Sequence, residues 1–251
     1  MSLLWRNKQL RVGLAADRIY ITGAKSVDLA ASDGGWNASL AALPAVLADK
    51  KGQASVVLAD QFVRYALLPW NEALKTSEQW SALATHRFNT LHGPRAAEWQ
   101  ITVADTAPMG PRLACAVDRA LITQLADVFV KANLRLTSVQ PFLVAAFNRI
   151  RKTVGNGSCW IVVEEPGRLT LALIQQGMWV AIRSRRADKG WRNVLSEILE
   201  RESAFLGLSQ PVTKVIVCAQ GEVDTAQWSE MYDAWRAEAL AYRELALAAD
   251  L

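Results

Sequence analysis

Hydrophobic and polar residues alternate near the start of the chain in the pattern of half-buried β-strands. Apolar side chains recur at alternate positions in Leu10 to Leu14 and in Arg18 to Thr22, and the pattern breaks at Asp17. This period of two predicts two antiparallel strands joined by a tight turn. Val27 to Ala30 is predicted to add a third strand.

Helical and strand patterns then alternate through the first half of the chain. A capping box at Thr76 and Gln79 predicts a helix that ends at Gly93, and its apolar residues Trp80, Ala84, Phe88 and Leu91 are spaced for one helical face. The other predicted helices are Leu40 to Leu47, a segment capped by Asp118, and Pro141 to Ile150. The predicted strands are Ala54 to Leu58, its continuation Phe62 to Leu68 after a turn at Asp60 and Gln61, Trp99 to Ala104 and Leu113 to Val117 as a strand pair, and Leu134 to Val139.

A boundary between two halves is predicted at Lys152 to Ser158, which contains two glycines and no periodicity. The strand pattern then begins again. The predicted elements are strands at Cys159 to Val163, Leu169 to Ile174 and Trp179 to Ile182, a helix with an apolar stripe from Trp191 to Phe205, a buried strand at Val212 to Cys218, and a helical stripe from Trp228 to Trp235.

Both halves therefore have about three antiparallel strands followed by helix, strand and helix, which is the order of a ribonuclease H-like unit. Two such units make an actin-like fold. The predicted fold class is α/β, with two ribonuclease H-like halves, mixed sheets and a small inserted subdomain in the first half. We expect a first lobe at residues 1–152, with the insertion at about 70–117, and a second lobe at residues 153–251.

Composition narrows the class of protein. The chain has 251 residues, of which 51% are hydrophobic, and a net charge of +4, which favours a globular protein over a disordered one. The basic residues are scattered, so no nucleic-acid partner is expected. Cys115, Cys159 and Cys218 have no paired spacing and are typical of reduced thiols in the cytoplasm. No apolar segment approaches the ~20 residues that span a bilayer, so no direct membrane span is expected.

The titratable residues do not form a familiar catalytic pattern. His86 and His92 are six residues apart, which is not the spacing that directs two imidazoles at one metal. The adjacent pair Glu164 and Glu165 is predicted to point to opposite faces of a strand, so the two carboxylates do not share a substrate and are expected in a solvated turn. Asp60, a candidate for a nuclease-like metal cluster, is interpreted as a turn residue.

The second half resembles the PilM family of type IV pilus assembly proteins and the related cytoplasmic domain of GspL from type II secretion. The similarity lies in Ile161 to Thr170, an apolar strand followed by an acidic turn and a threonine, and in Gly177 to Arg183. In the first half, Val12 to Leu14 is similar to the strand that enters the family's first acidic glycine turn, and residues 70–117 match its extra subdomain. The resemblance implies a cytoplasmic protein that is peripheral to the inner membrane through a partner.

The residues that would hold a nucleotide depart from the family's pattern. Nucleotide-binding members offer backbone N–H groups of a glycine turn to the phosphates and place an aspartate near magnesium. Here Ala15 replaces that aspartate, and Pro166, which has no N–H, replaces a glycine. The degenerate positions, which include a retained acid and threonine, are Ala15, Asp17, Glu164, Pro166, Thr170, Ala219 and Gln220. The expected protein is a non-catalytic scaffold without cofactor; the alternative is a regulator that still binds ATP with magnesium.

The resemblance also implies a partner. In PilM-like proteins the cytoplasmic tail of a PilN-like inner-membrane protein docks in a groove between the first lobe and its insertion. On this chain, Phe62 to Leu68 and the bend at Pro69 are expected to border that groove. Tyr65, Leu68 and Trp70 are the candidate lining residues, although core packing explains them equally well. A homodimer and an enzyme with an unrecognised polar pocket remain open.

Overall fold

The computed structural model describes residues 9–29, 35–104, 109–187, 190–219 and 236–241. The strands are β1 (Leu10–Leu14), β2 (Arg18–Ile21), β3 (Val27–Asp28), β4 (Gly52–Leu58), β5 (Val63–Leu68), β6 (Trp99–Val103), β7 (Arg112–Asp118), β8 (Leu134–Pro141), β9 (Ser158–Glu165), β10 (Arg168–Gln175), β11 (Met178–Arg186), β12 (Lys214–Ala219) and β13 (Arg236–Ala241). The α-helices are α1 (Asn37–Leu47), α2 (Ser77–His92), α3 (Arg119–Lys131), α4 (Phe142–Val154) and α5 (Leu195–Phe205). Three short 3₁₀ segments lie at Asp60–Phe62, Gly93–Glu98 and Trp191–Val194.

The first five-stranded sheet has the order β3-β2-β1-β4-β8. β1 pairs antiparallel with β2 and parallel with β4, and β4 pairs parallel with β8. The predicted hairpin is confirmed, because the N–H of Ala15 donates to the carbonyl of Arg18 at 2.9 Å and closes the turn between β1 and β2. We refer to this sheet with its helices α1, α3 and α4 as the first lobe.

The second five-stranded sheet repeats this order as β11-β10-β9-β12-β13. β9, β10 and β11 are antiparallel, whereas β12 lies parallel between β9 and β13. The prediction of a buried parallel strand ending near Cys218 is thus confirmed. Both sheets have the strand order of a ribonuclease H-like unit. We refer to the second sheet and α5 as the second lobe.

A third sheet, with the order β5-β7-β6, lies between β4 and α3 in the chain. β5 pairs with β7 and not with the first sheet. The predicted turn at Asp60 and Gln61 is present as a 3₁₀ segment. The strand that follows it was predicted to continue the preceding strand, which was wrong, because the 3₁₀ segment directs it into a different sheet. We call the third sheet, together with α2, the inserted subdomain.

Helix α2 covers one face of the inserted sheet. Its predicted capping box is present, since the hydroxyl of Thr76 accepts from the N–H of Gln79 and the Gln79 side chain accepts from the N–H of Thr76. Trp80 and Phe88 are buried as predicted, but Leu91 is 49% exposed. Leu91 lies in the last turn of α2 and does not belong to its buried face.

The stripe predicted from Trp191 to Phe205 is only partly correct. Leu195 and Leu199 are buried, whereas Val194 and Phe205 are exposed. Val194 belongs to a 3₁₀ segment, whose tighter turn displaces it from the α-helical stripe. Phe205 is the last residue of α5, where the guanidinium of Arg183 lies over its ring at 5.7 Å. The stripe predicted at Trp228 to Trp235 falls outside the described residues.

Helix α4 lies between the two large sheets and contributes to a core that both share. One cluster joins Tyr20 and Val57 of the first sheet, Phe142 of α4, and Ile161 and Ile216 of the second sheet. Cys115, Cys159 and Cys218 are free thiols, as predicted. The two lobes are therefore connected through packed apolar side chains as well as through the chain itself.

Candidate functional site

The β1–β2 turn is built around apolar residues. Ala15 is 1% exposed and belongs to the core of the first lobe, and its carbonyl accepts a hydrogen bond from the buried hydroxyl of Ser39. The N–H of Ala15 is already donated within the turn. Asp17 follows as the charged residue of the turn. This turn thus offers a carboxylate, and not glycine N–H groups, at the position where the resemblance places a phosphate.

The β9–β10 turn consists of Pro166 and Gly167. Glu165 and Arg168 pair at the ends of the two strands, which leaves two residues to reverse the chain. Gly167 has a φ of 72°, which is a conformation that glycine adopts without a steric penalty. Pro166 has no N–H, and the carbonyl of Gly167 accepts from the N–H of Ala187 at 3.0 Å. These two residues form a regular hairpin turn, and the N–H that Pro166 lacks makes the turn poorly suited to bind a phosphate.

The acid that the turn retains, Glu164, is engaged by its own lobe. One carboxylate oxygen accepts from Nε1 of Trp191 at 3.0 Å, and the other accepts from Nη2 of Arg192 at 3.1 Å. Thr170 is buried, with its hydroxyl 3.4 Å from that of Ser184. The two residues that match the family's pattern therefore have internal partners.

Glu165 points the other way and reaches the first lobe. Its carboxylate is 2% exposed and accepts the backbone N–H groups of Asp60 at 2.7 Å and Gln61 at 2.8 Å. The prediction that Glu164 and Glu165 face opposite directions is confirmed. The expectation of a solvated turn was wrong for Glu165, because the 3₁₀ segment of the first lobe supplies two N–H donors to it. We call this contact the lobe junction.

Asp60 extends the lobe junction to α4. Its Oδ1 accepts from the N–H of Leu143 at 3.0 Å and from the hydroxyl of Tyr65. Pro141, at the N-cap of α4, has no side chain that caps the helix, so Asp60 supplies the acceptor from a distant segment. Burial raises the pKa of Asp60 to about 6, against the opposing effects of these hydrogen bonds and of the charge of Arg168.

Sequence reasoning identified Asp60 only as a turn residue. A helix that begins after a proline and lacks a polar N-cap was the available signal that some other residue must cap α4. Among the remaining predicted positions, Ala219 ends β12 and is buried in the core of the second lobe. Gln220 lies outside the described residues.

A groove of about 370 Å³ lies between the inserted sheet and the first lobe. It is formed by the face of β6 and β7 that α2 does not cover, by α3, and by the junction of β8 with α4. The lining residues are Leu58, Gln100, Thr102, Ala104, Leu113, Cys115, Val117, Ile122, Val139, Gln140, Pro141 and Val144. Most of these side chains are apolar, and burial raises the pKa of Cys115 to about 12, so its thiol is uncharged at neutral pH. We call this the apolar groove.

The three predicted groove residues lie elsewhere. Tyr65 contacts Asp60 at the lobe junction, and Leu68 is 1% exposed in the core beneath α2. Trp70 stacks on Trp80 with ring centroids 5.9 Å apart. None of the three lines the apolar groove, because β5 is the edge strand opposite β6 in the inserted sheet. The structure does not bring these residues together.

In the part of the chain that the structure describes, no group of three or more His, Cys, Asp or Glu side chains is placed to hold a metal ion. None of the described helices combines the length and the apolar composition needed to cross a bilayer.

Solved structures match this arrangement over nearly the whole chain. A protein from Bacteroides thetaiotaomicron with an actin-like ATPase fold and unknown function has a TM-score of 0.58 and 11% identity, covering 96% of this chain and 94% of that one. The chain has an actin-like fold. The PilM-PilN type IV pilus biogenesis complex matches with a TM-score of 0.67 and 12% identity, covering 95% of this chain and 89% of that one.

The cytoplasmic domain of EpsL, an inner-membrane component of the type II secretion system of Vibrio cholerae, also shares the actin-like fold. It has a TM-score of 0.56 and 13% identity, covering 95% of this chain and 92% of that one. No protein-family model and no curated protein sequence matches the chain. At these identities the likeness is one of fold, and an actin-like fold does not by itself imply ATP binding.

Proposed function

We propose that the chain is a non-catalytic cytoplasmic scaffold of an inner-membrane assembly complex, of the type IV pilus or type II secretion kind. It docks the cytoplasmic tail of a PilN-like membrane protein and is peripheral to the membrane through that partner. The observation that carries the proposal is the apolar groove beside the inserted sheet. The likeness in fold to PilM in its complex with PilN supports the choice of partner.

The apolar groove suits an extended peptide. β6 forms one edge of the inserted sheet, and within the described residues no strand pairs with its outer side. An edge strand offers backbone donors and acceptors to an added strand, and a neighbouring groove selects the side chains of that strand. Gln100 and Thr102 on β6 place polar groups at a groove that is otherwise largely apolar. We therefore propose that the tail binds alongside β6 with apolar side chains in the groove.

The two turns support a non-catalytic role. Pro166 withholds an N–H where a phosphate-binding turn needs one, and Ala15 has no group that binds magnesium or its water. Glu164 and Glu165 are both used in internal contacts. These residues favour a protein that joins its lobes through side chains rather than through a bound nucleotide.

The proposal is tested with a fluorescently labelled peptide that comprises the cytoplasmic tail of the PilN-like protein encoded beside this chain. Fluorescence anisotropy is expected to report saturable binding to the wild-type protein. Thr102→Arg places a long charged side chain at the apolar groove and is expected to weaken binding at least tenfold. Thr90→Arg, on the exposed side of α2, is the matched control and is expected to bind as wild type does. Equal binding by both variants, or no binding to wild type, would contradict the proposal.

A further inference from the structure

A second cavity, of about 680 Å³, lies where the end of α2 meets the 3₁₀ segment that follows β4. Its charged lining residues are Arg64, Arg95, His92 and Asp118. The carboxylate of Asp118 is the N-cap of α3 and accepts the N–H of Ala120 at 2.8 Å. The cations thus outnumber the acid, which is already engaged. We call this the basic cavity, and it is distinct from the apolar groove and from the two turns.

The electrostatic environment of the basic cavity is positive. The pKa of Arg64 is lowered by burial first, and then by the charges of Arg168 and Arg95. The pKa of His92 is lowered by burial and by the charge of Arg64. In the part of the chain that the structure describes, neither Arg64 nor Arg95 forms an ion pair. Like charges placed together raise the free energy of the folded protein, and an anion between them would lower it.

The hydrogen-bonding groups of the basic cavity also favour an anionic ligand. Nη1 of Arg64 donates to the carbonyls of Gln61 and Val63, both at 3.2 Å, which fixes the guanidinium in place. Nε2 of Gln61 is buried and has no acceptor among the described residues. A buried donor without an acceptor is costly and uncommon in folded proteins. The basic cavity is therefore lined by the fixed positive charge of Arg64 and by Gln61, whose buried amide lacks an acceptor among the described residues.

An aromatic wall completes the basic cavity. Trp99 and Trp36 line it, and the Trp99 ring meets His92 edge-on with centroids 5.0 Å apart. Indole rings beside cations suit a ligand that has both a negative group and a flat ring. We propose that the basic cavity binds a small phosphorylated molecule, with the dianionic phosphate held by Arg64 and Arg95. The presence of two cations favours a dianionic phosphate over a single carboxylate.

The two histidines of the chain provide the test, because His92 lines the basic cavity and His86 lies six residues earlier on the same helix. NMR titration of both imidazoles is carried out on the full chain at constant ionic strength, with chloride, with sulfate as a dianion of fixed charge, and with AMP. An anion beside His92 favours its charged form and is expected to raise its pKa by about 0.5 unit or more. The pKa of His86 is expected to stay the same.

Arg95→Gln is the decisive variant, because Arg95 is exposed and its replacement leaves the core unchanged. It is expected to abolish the anion-dependent rise at His92, whereas Arg87→Gln, an exposed control on α2, keeps it. An equal rise with sulfate and AMP assigns the site to the free anion, and a larger rise with AMP assigns it to a ring-bearing monoester. No rise with either probe, an equal rise at both histidines, or a rise that persists in Arg95→Gln would overturn the proposal.

Discussion

Glu165 links the two lobes through its side chain. Its carboxylate accepts two N–H groups from a segment more than 100 positions away in the chain. Charge-assisted hydrogen bonds to a buried carboxylate are stronger than neutral ones.

Glu165→Gln is expected to lower the free energy of unfolding by about 1–3 kcal/mol. The amide keeps one acceptor oxygen, so one of the two N–H groups of the first lobe loses its partner in a buried position. Urea denaturation measures the change. The matched control is Glu164→Gln, whose carboxylate is partly exposed and contacts only its own lobe. An effect of Glu165→Gln no larger than that of Glu164→Gln would argue against a structural role for the lobe junction.

The degenerate turn residues could be identified from sequence, and the lobe junction could not. Ala15 and Pro166 can be interpreted without the structure. Ala15 has no carboxylate and Pro166 has no backbone N–H, whatever residues surround them. The roles of Asp60 and Glu165 depend on a contact across 105 positions, for which neither residue carries a local signal. The same limit applies to Tyr65, whose partner is the buried Asp60 and not a ligand groove.

At the scale of elements, periodicity predicted which segments are strands and helices, and it predicted the β1–β2 hairpin, but it did not identify the partner of β5. β5 was predicted within one residue of its observed start, yet its place in the inserted sheet depends on pairing with β7. Alternation of apolar and polar residues indicates that a strand has one buried face, but it does not identify the strand that pairs with it. The location of the apolar groove was missed for the same reason, because β6 and not β5 borders it.

Asp60 is buried beside the first turn of α4, and its burial predicts a pH effect. Burial raises the pKa of Asp60 from 3.8 to about 6, so the folded protein binds this proton more tightly than the unfolded chain does. The stabilisation from the protonated form is complete below about pH 4 and is lost as the pH rises through 6. The free energy of unfolding of wild type relative to Asp60→Asn should therefore fall by roughly 2 kcal/mol between pH 4.5 and pH 7.5.

The measurement is urea denaturation of both proteins at several pH values between 4.5 and 7.5. Asp60→Asn keeps an acceptor oxygen for Leu143 and removes the titration, so the difference between the two proteins isolates Asp60. Asp127→Asn, on the exposed side of α3, controls for the loss of a carboxylate as such. A difference between wild type and Asp60→Asn that does not change with pH would contradict the assignment.

At the scale of the whole molecule, the two large sheets have the same strand order and share a core through α4. The repetition was predictable, because each half repeats the same sequence of strand and helix patterns. Lobes that are joined by packed side chains and by the lobe junction do not need a ligand to hold them together. The alternative is a regulator that binds ATP.

Thermal unfolding with Mg-ATP distinguishes the non-catalytic scaffold from the regulator that binds ATP. A ligand present at a hundred times its Kd adds about 2.7 kcal/mol to stability, which corresponds to a rise in Tm of about 5–10 °C for a chain of this size. We expect no such rise from a nucleotide bound between the lobes at millimolar Mg-ATP, because Ala15 and Pro166 lack groups that would hold magnesium and phosphate. Any rise that comes from the basic cavity is expected to be lost in Arg95→Gln. The Arg95→Gln protein is measured in parallel to separate binding in the basic cavity. A rise in Tm that persists in Arg95→Gln would place a nucleotide between the lobes and favour the regulator over the scaffold.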